Sequence, residues 1–294
     1  MPDAPPIHSL SISVTFVYLK AMVDTAQKVV LITGASSGIG KACADHLHGR
    51  GYRVFGTQRQ PPAADGRGVE MIAMDVNDDR SVARGIDHVL QTAGRLDAVI
   101  NNAGNAYMGA VEDTSIEEAK AQLETNFFGV LRVCRAALPI MRRQGVGHIV
   151  NISSLAGVLG LPFSGLYSAS KFALEGMTES LRWETRRFGV RVVLVEPGDF
   201  RTQLAVTRRT VAAAETNDVY RTAFAKFKAQ QDKDESAAPT PEAVAQLVER
   251  ILSDPAPQLR YSVGMVGQRI VIPLKRLLPQ RLFGWVLSWA LALD

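Results

Sequence analysis

Six apolar runs separated by helix-length segments constrain this chain more than anything else in it: KVVLIT (28–33), RVFGT (53–57), VEMIAMDV (69–76), AVINNAG (98–104), HIVNISS (148–154) and RVVLVEPG (191–198). Their apolar character runs on without strict alternation, so each strand must be covered on both faces. A parallel sheet with helices on either side meets that demand. A seventh strand is expected near 259–262, after a helix whose start is marked by Thr240 as N-cap and Pro241 at the first helical position. The expected fold class is α/β, a doubly wound, mostly parallel sheet in one domain with a C-terminal helical extension.

Punctuation along the chain divides it further. Residues 1–26 read as a loosely packed extension, 27–265 as the domain itself, and 266–294 as an apolar, basic helical tail. The stretch 203–239 interrupts the strand-helix rhythm with polar, helix-forming sequence and no strand. An excursion from the sixth strand lies beyond the carboxyl ends of the sheet, where ligands bind in open α/β folds, so a substrate lid is expected there.

The net charge of +4 has one source. Arg260, Arg269, Lys275, Arg276 and Arg281 face only Asp294 among residues 255–294, and the rest of the chain sums to zero. A nucleic-acid protein would carry a basic face with stacking aromatics, and none is legible. The two cysteines, Cys43 and Cys134, fall in helical segments and suit a reducing compartment, while the five histidines form no ligand spacing, so no metal is expected. The start of the chain lacks the charged opening of a signal peptide. A cytoplasmic location follows, with peripheral membrane contact through the tail as the alternative.

The turn TGASSGIG (33–40) after the first strand admits two chemistries. Gly34-Ala35-Ser36-Ser37-Gly38 fits a nucleophile elbow, which would make Ser36 a nucleophile. That reading needs an acid and then a histidine later in the chain, at loop positions; the last histidine, His148, instead begins a strand. The alternative uses Gly34, Gly38 and Gly40 to bring a pyrophosphate against the N–H groups of a helix start, with Ser36, Ser37 and Ile39 beside it. G-x-x-x-G-x-G is weak support by itself.

Company arrives downstream as Asn101-Asn102-Ala103-Gly104, Asn126, Ser154, Tyr167, Lys171 and Pro197-Gly198, with Ser154 thirteen residues before Tyr167. In this order and at these separations, over roughly residues 27–202, the sequence resembles the short-chain dehydrogenase/reductase family and its Rossmann-type sheet. The resemblance implies that Tyr167 exchanges a proton with a substrate carbonyl or alcohol, that Ser154 hydrogen-bonds the same oxygen, that Lys171 holds the ribose hydroxyls, and that Asn126 holds a water behind the lysine. It further implies cofactor contacts from Asp75 and Val76 near the adenine, Asn102, Ala103 and Gly104 along the fourth strand, and Pro197, Gly198 and Thr202 beneath the nicotinamide. Tyr167 and Lys171 stand four apart on a helix and so share a face. A free tyrosine titrates near 10, and an acid/base at neutral pH needs a shift of roughly 3 units, to which a nearby ammonium and the cationic oxidised ring both contribute.

Cofactor choice rests on the second strand. Nineteen residues after Gly40 the chain has Thr57-Gln58-Arg59 and no acid for a ribose hydroxyl; Asp65 lies beyond two prolines. Arg59 suits a 2′-phosphate, so NADP(H) is expected ahead of NAD(H). The tail and the strand-two wording resemble the hydroxysteroid- and retinol-type branch, implying an apolar small-molecule alcohol or ketone and a homodimer or homotetramer built around the helix carrying Tyr167. The apolar run Leu282 to Leu293 is too short to span a bilayer. It would pack over the substrate mouth, in a subunit interface, or on a membrane surface with Lys275, Arg276 and Arg281 toward lipid phosphates. A nucleotide sensor without turnover is the reading from another class, and it would have no use for Tyr167.

Overall fold

The computed structural model describes residues 27–61, 68–202 and 208–290. The expected extension 1–26 and Asp65 lie outside these. Seven strands form one parallel sheet: β1 (Val29–Ile32), β2 (Arg53–Gln58), β3 (Glu70–Ala73), β4 (Ala98–Asn101), β6 (Gly147–Ile152), β7 (Val190–Pro197) and β9 (Arg260–Val263), in the order β3-β2-β1-β4-β6-β7-β9. Chain direction across the sheet reverses between β1 and β4. The crevice of such a fold opens there, beyond the carboxyl ends of the strands.

Two apolar layers sandwich the sheet because successive side chains of each strand point to opposite faces. Val29, Leu31 and Val99 pack with α2 (Asp79–Ala93) and α4 (Val130–Gln144), while Val30, Ile32 and Ile100 pack with α1 (Gly38–Gly49) and α7 (Glu242–Ser253). All four residues of β1 are buried, as the continuous apolar run requires. Local signals bound α2: Asp78 caps its start by accepting from Ser81 N, and Gly94 closes it at φ 73°. Cys43 and Cys134 lie inside these layers, and burial pushes both thiols up to about 12, so neither is a nucleophile.

The structure departs from the sequence expectations at several points. The third strand is Glu70–Ala73, shorter than 69–76, because Met74 to Val76 leave the ladder toward the crevice after Met74 N donates to Gln58 O. Helix α7 begins at Glu242: Pro241, with ψ 2°, sits just outside it, and the Thr240 hydroxyl bonds the Glu242 carboxylate. The segment 203–239 was expected to lack a strand, yet β8 (Arg209–Thr210) pairs in parallel with β5 (Tyr107–Met108). Its helix, α6 (Asp218–Ala237), has its own small core, in which Phe224 and Phe227 pack against Phe163 with ring centroids 5.6 and 5.5 Å apart. Phe163 takes φ 53°, a strained value for a bulky residue that this aromatic cluster and its carbonyl bond from Gly109 N hold in place.

Arg260 is a second correction. Counted with the basic tail, it instead belongs to β9 and donates inward to Glu175 at 2.9 Å, while standing 2.7 Å from Glu179 and 3.3 Å from Glu196. After β9 the chain forms α8 (Val266–Arg269), α9 (Val271–Leu277) and α10 (Gln280–Ala290). Among the described residues no helix is long and apolar enough to cross a membrane.

Candidate active site

A cavity of about 710 Å3 opens at the carboxyl ends of β1, β2, β4 and β7. Of the sequence-predicted site residues only Gly40 and Asn126 do not line it, and both stand directly behind its wall.

The turn after β1 is a backbone cradle. Gly34 and Gly38 take φ 66° and 54°, which side chains resist, and a Cβ on Gly40 would lie 2.3 Å from the Gly34 carbonyl oxygen. Ser37 caps α1 with its backbone alone, making no side-chain bond to the helix start, and no acid sits in the first turn. Free N–H groups, the hydroxyls of Ser36 and Ser37 and the positive helix end thus face the cavity, the donor set a pyrophosphate requires. Asn102 departs from its expected role along the adenosine: its side-chain amide donates to Thr33 O and Gly34 O, both at 3.0 Å. Thr33, which sequence reading passed over, receives the N–H groups of Asn102 and Ala103 on its hydroxyl at 2.9 and 3.0 Å. The fourth strand therefore braces the turn of the first.

At the far end Arg59 is exposed, and its side chain has no partner among the described residues. Asp75, expected near the adenine, turns one oxygen to Asn77 N at 2.9 Å.

Tyr167 and Lys171 project from one face of α5 (Gly165–Thr185), with the ammonium 5.8 Å from the phenol ring centroid. The Ser154 side chain stands beside the phenol and lowers its pKa, and Ser154 Oγ accepts from Ala156 N at 3.1 Å. The neighbouring Ser153 keeps its hydroxyl buried against Gly157 and Glu175. Asn126 lies in a π-helical turn, Glu124–Gly129, a distortion common at functional sites. Its amide donates to Asn105 O at 3.0 Å and to Ser170 Oγ at 3.1 Å, clamping the residue next to Lys171.

The electrostatics correct one expectation. In the protein alone, burial raises the Tyr167 pKa above its usual value; Ser154 pulls it down, Asp199 and Glu235 push it up, and Arg208 lowers it. Lys171, 6% exposed, donates to Ile152 O at 2.9 Å and is itself lowered to about 8 by burial, against the pull of Glu175. Below pH 8 the lysine is charged in both folded and unfolded chains and its burial costs roughly 3 kcal/mol, a cost relieved as pH rises from 8 to 10.5. Lys171→Met is therefore expected to gain about 1–2 kcal/mol at pH 7 after loss of the Ile152 bond. Thermal unfolding at pH 7 and pH 10 checks this: the gain should shrink at the higher pH, and a variant less stable at both would contradict it.

The opposite wall was largely invisible to sequence reading. Pro197, Gly198 and Thr202 line it as expected, together with Asp199, Arg208, Gln231 and Glu235. The tail reaches it too: Gln268 of α8 accepts from Asp199 N at 3.0 Å and donates to its carboxylate at 2.5 Å. Lys275, which one of the three readings of the tail turned toward lipid, donates to Val158 O at 2.5 Å and lies over the Phe172 ring. His148 stands at the start of β6, away from the cavity, with its pKa lowered by burial to about 4. Among the described residues no triad forms around Ser36.

Known proteins carry the same pattern. The family model described as short chain dehydrogenase matches residues 28–212. A relative named 3-ketodihydrosphingosine reductase, from Bacteroides thetaiotaomicron, is 38% identical over 260 residues, 88% of this chain and 96% of its own. A short chain dehydrogenase/reductase from Burkholderia phymatum in complex with NAD matches with a TM-score of 0.74 at 26% identity, covering 85% of this chain and 93% of that one. An alcohol dehydrogenase from the archaeon Thermococcus sibiricus complexed with 5-hydroxy-NADP gives 0.65 at 25% identity, covering 82% and 97%. The turn, the braced fourth strand and the helix bearing Tyr167 and Lys171 all fall within the matched segment, and the chain belongs to the short-chain dehydrogenase/reductase family of oxidoreductases that act on hydroxyl or carbonyl groups.

Proposed function

We propose that the protein is an NADP(H)-dependent reductase or dehydrogenase of an apolar ketone or secondary alcohol, with Tyr167 as its acid/base. The observation that carries this reading is the meeting of Ser154, Tyr167 and Lys171 in one cavity with the glycine cradle. Bound nicotinamide would supply the hydride and, once oxidised, a positive charge. Ser154 and Tyr167 donate to the substrate oxygen, so negative charge developing there meets two fixed donors. Tyr167 gives its proton to that oxygen. Lys171 holds the ribose and stabilises the phenolate left behind, with Asn126 keeping the lysine's helix in register through Ser170.

Arg59 supports the phosphorylated cofactor, and the relative named for a ketone on a long apolar chain supports an apolar substrate. The test is consumption of NADPH and NADH, followed by absorbance, against steroid, retinoid, aliphatic and quinone carbonyls. Arg59→Ala is expected to raise KM for NADPH about 10- to 100-fold, the worth of one charge-assisted contact, and to leave KM for NADH within twofold. Equal KM values for NADPH in both proteins would make Arg59 a solvated loop residue and remove the cofactor assignment.

Two surfaces support partners. Trp183, 67% exposed, and Phe172 lie on α5, consistent with a homodimer or homotetramer packed around that helix in the cytoplasm. Val266, Ile270, Leu277, Leu282 and Trp285 are exposed beside Arg269, Arg276 and Arg281, and this mixed face suits the surface of an anionic bilayer. Cosedimentation with anionic but not neutral vesicles checks the second point.

A further inference from the structure

One turn beyond Lys171, α5 buries a carboxylate. Glu175 stands four residues on, a separation that puts both side chains on one face of the helix, and the two are 5% and 6% exposed, Glu175 first. Lys171 lines the cavity and Glu175 does not.

The oxygens of Glu175 are answered unequally. Oε2 accepts from Arg260 Nε at 2.9 Å, while Oε1 is buried and receives no hydrogen bond among the described residues. Ser153 adjoins the carbonyl to which Lys171 donates, and its hydroxyl lies close by: a Cβ built on Gly157 would stand 2.6 Å from Ser153 Oγ and 3.3 Å from Glu175 Oε1. Lys171 is in the complementary position. Its ammonium donates to the neutral Ile152 carbonyl at 2.9 Å, and Glu175 is the acid that acts on it.

The charge count supports the pairing. Glu175 and Glu196 are both buried, and Arg260, 2.9 Å from one and 3.3 Å from the other, brings a single positive charge. Glu179, the third acid on Arg260, is 49% exposed in its side chain. The second buried negative charge is met once the Lys171 ammonium is counted, and a buried charge left unmet is costly. Other polar groups packed against the pair are neutral: Ser153 on β6, Ser262 on β9, which donates to Glu196 at 2.8 Å, and Asn126, which donates to Ser170 at 3.1 Å.

Resting on the reductase reading above, we infer that Glu175 is a positioning residue of the reaction, holding the Lys171 ammonium in its charged form and so setting the upper pH limit of carbonyl reduction. A charged lysine stabilises the phenolate that Tyr167 becomes when it gives up its proton; a neutral one does not. Burial lowers the Lys171 pKa to about 8, and Glu175 resists that shift. Burial in turn raises the Glu175 pKa, Ser153 lowers it, Glu196 raises it and Arg260 lowers it, so Arg260 helps to keep Glu175 ionised.

A purely structural Glu175 would tie α5 to β9 through Arg260. Glu175→Gln separates the two roles, since the amide oxygen can still accept from Arg260 but the charge is gone. The full chain, with its lysines labelled with carbon-13 at Cε, is titrated by NMR without nicotinamide, and Lys171→Met identifies the signal. Wild-type Lys171 should titrate near 8, and in Glu175→Gln about one unit lower, the low end of what a nearby opposite charge supplies. With NADPH and a carbonyl that the wild type reduces, kcat/KM in Glu175→Gln should fall about fivefold at about pH 8 and stay within about twofold at about pH 6.5, as a one-unit shift of one group requires. Glu175→Asp keeps the charge and should titrate between the two. Glu196→Gln removes a carboxylate from the same cluster but not the one that acts on Lys171, and should not lower the lysine's pKa. A Lys171 signal unmoved in Glu175→Gln, an equal downward shift in Glu196→Gln, or an activity loss equal at both pH values overturns the inference and leaves the reductase reading intact. Failure of wild type to reduce any carbonyl of the panel, with either nicotinamide, overturns that reading and takes the role of Glu175 in the reaction with it.

Discussion

Tyr167→Phe is expected to lower kcat about a thousandfold on whichever carbonyl the wild type reduces, with the nicotinamide bound as before. The phenol stands beside Ser154, which lowers its pKa, and shares a helix face with Lys171. General acid catalysis is worth about 10²- to 10⁴-fold, and phenylalanine removes the hydroxyl while keeping the ring packed. Lys171 still bonds Ile152 O in the variant, so the cradle and the ribose side of the cavity are untouched. Steady-state rates with NADPH, together with a fluorescence titration of NADPH binding, separate chemistry from binding. Full activity in the variant would remove Tyr167 from the mechanism and return Ser154 to an ordinary helix-start residue. A thousandfold loss with unchanged cofactor affinity would also exclude a nucleotide sensor.

Arg260→Met is expected to destabilise the fold by about 3 kcal/mol, the largest single effect foreseen on stability. Arg260 bridges β9 to Glu175 and Glu179 on α5 and to Glu196 on β7. Glu175 and Glu196 are 5% and 2% exposed, and the loss of the cation that bridges them leaves two buried carboxylates facing each other, with Lys171 acting on Glu175 alone. Removing one partner of a buried ion pair costs roughly 3–5 kcal/mol, and the partial exposure of Arg260 places this case at the lower end. The sign with pH follows from Glu175. Burial raises its pKa, the neighbouring Glu196 raises it further, and Arg260 lowers it. A carboxyl held above its unfolded value destabilises the fold as pH rises through that value, so without Arg260 the deficit should be largest at pH 7.5 and smaller at pH 5. Urea unfolding at the two pH values reads this directly. A deficit independent of pH would mean that Arg260 contributes by packing its stem and not by its charge.

Both predictions touch residues of different legibility. Tyr167 announced itself through its spacing to Ser154 and Lys171, because catalytic geometry on a helix is a local pattern of four residues. Arg260 read as one more basic residue near the end of the chain, since nothing local reveals that its partners lie 85 and 64 residues earlier, at Glu175 and Glu196. Asp199 follows Pro197-Gly198 with no local pattern around it. Its importance depends on Gln268, which arrives 69 residues later. Asn102 was legible as a site residue but not in its task, because the carbonyls it holds belong to a different strand.

The amino-acid sequence by itself determined the seven parallel strands, the helices between them, the glycine turn and, through the family resemblance, the candidate residues Ser154, Tyr167 and Lys171. Each is written in neighbours: a continuous apolar run is buried twice, a positive φ needs glycine, and a helix repeats every 3.6 residues. Only the tertiary structure decided the pairing of β5 with β8, the aromatic core beneath α6, the bracing of the turn by Asn102 and Thr33, and the polar wall of Asp199, Arg208 and Gln231. These are contacts between residues far apart in the chain, made by single side chains in no periodic pattern, so their energy exists only once the sheet has brought them together.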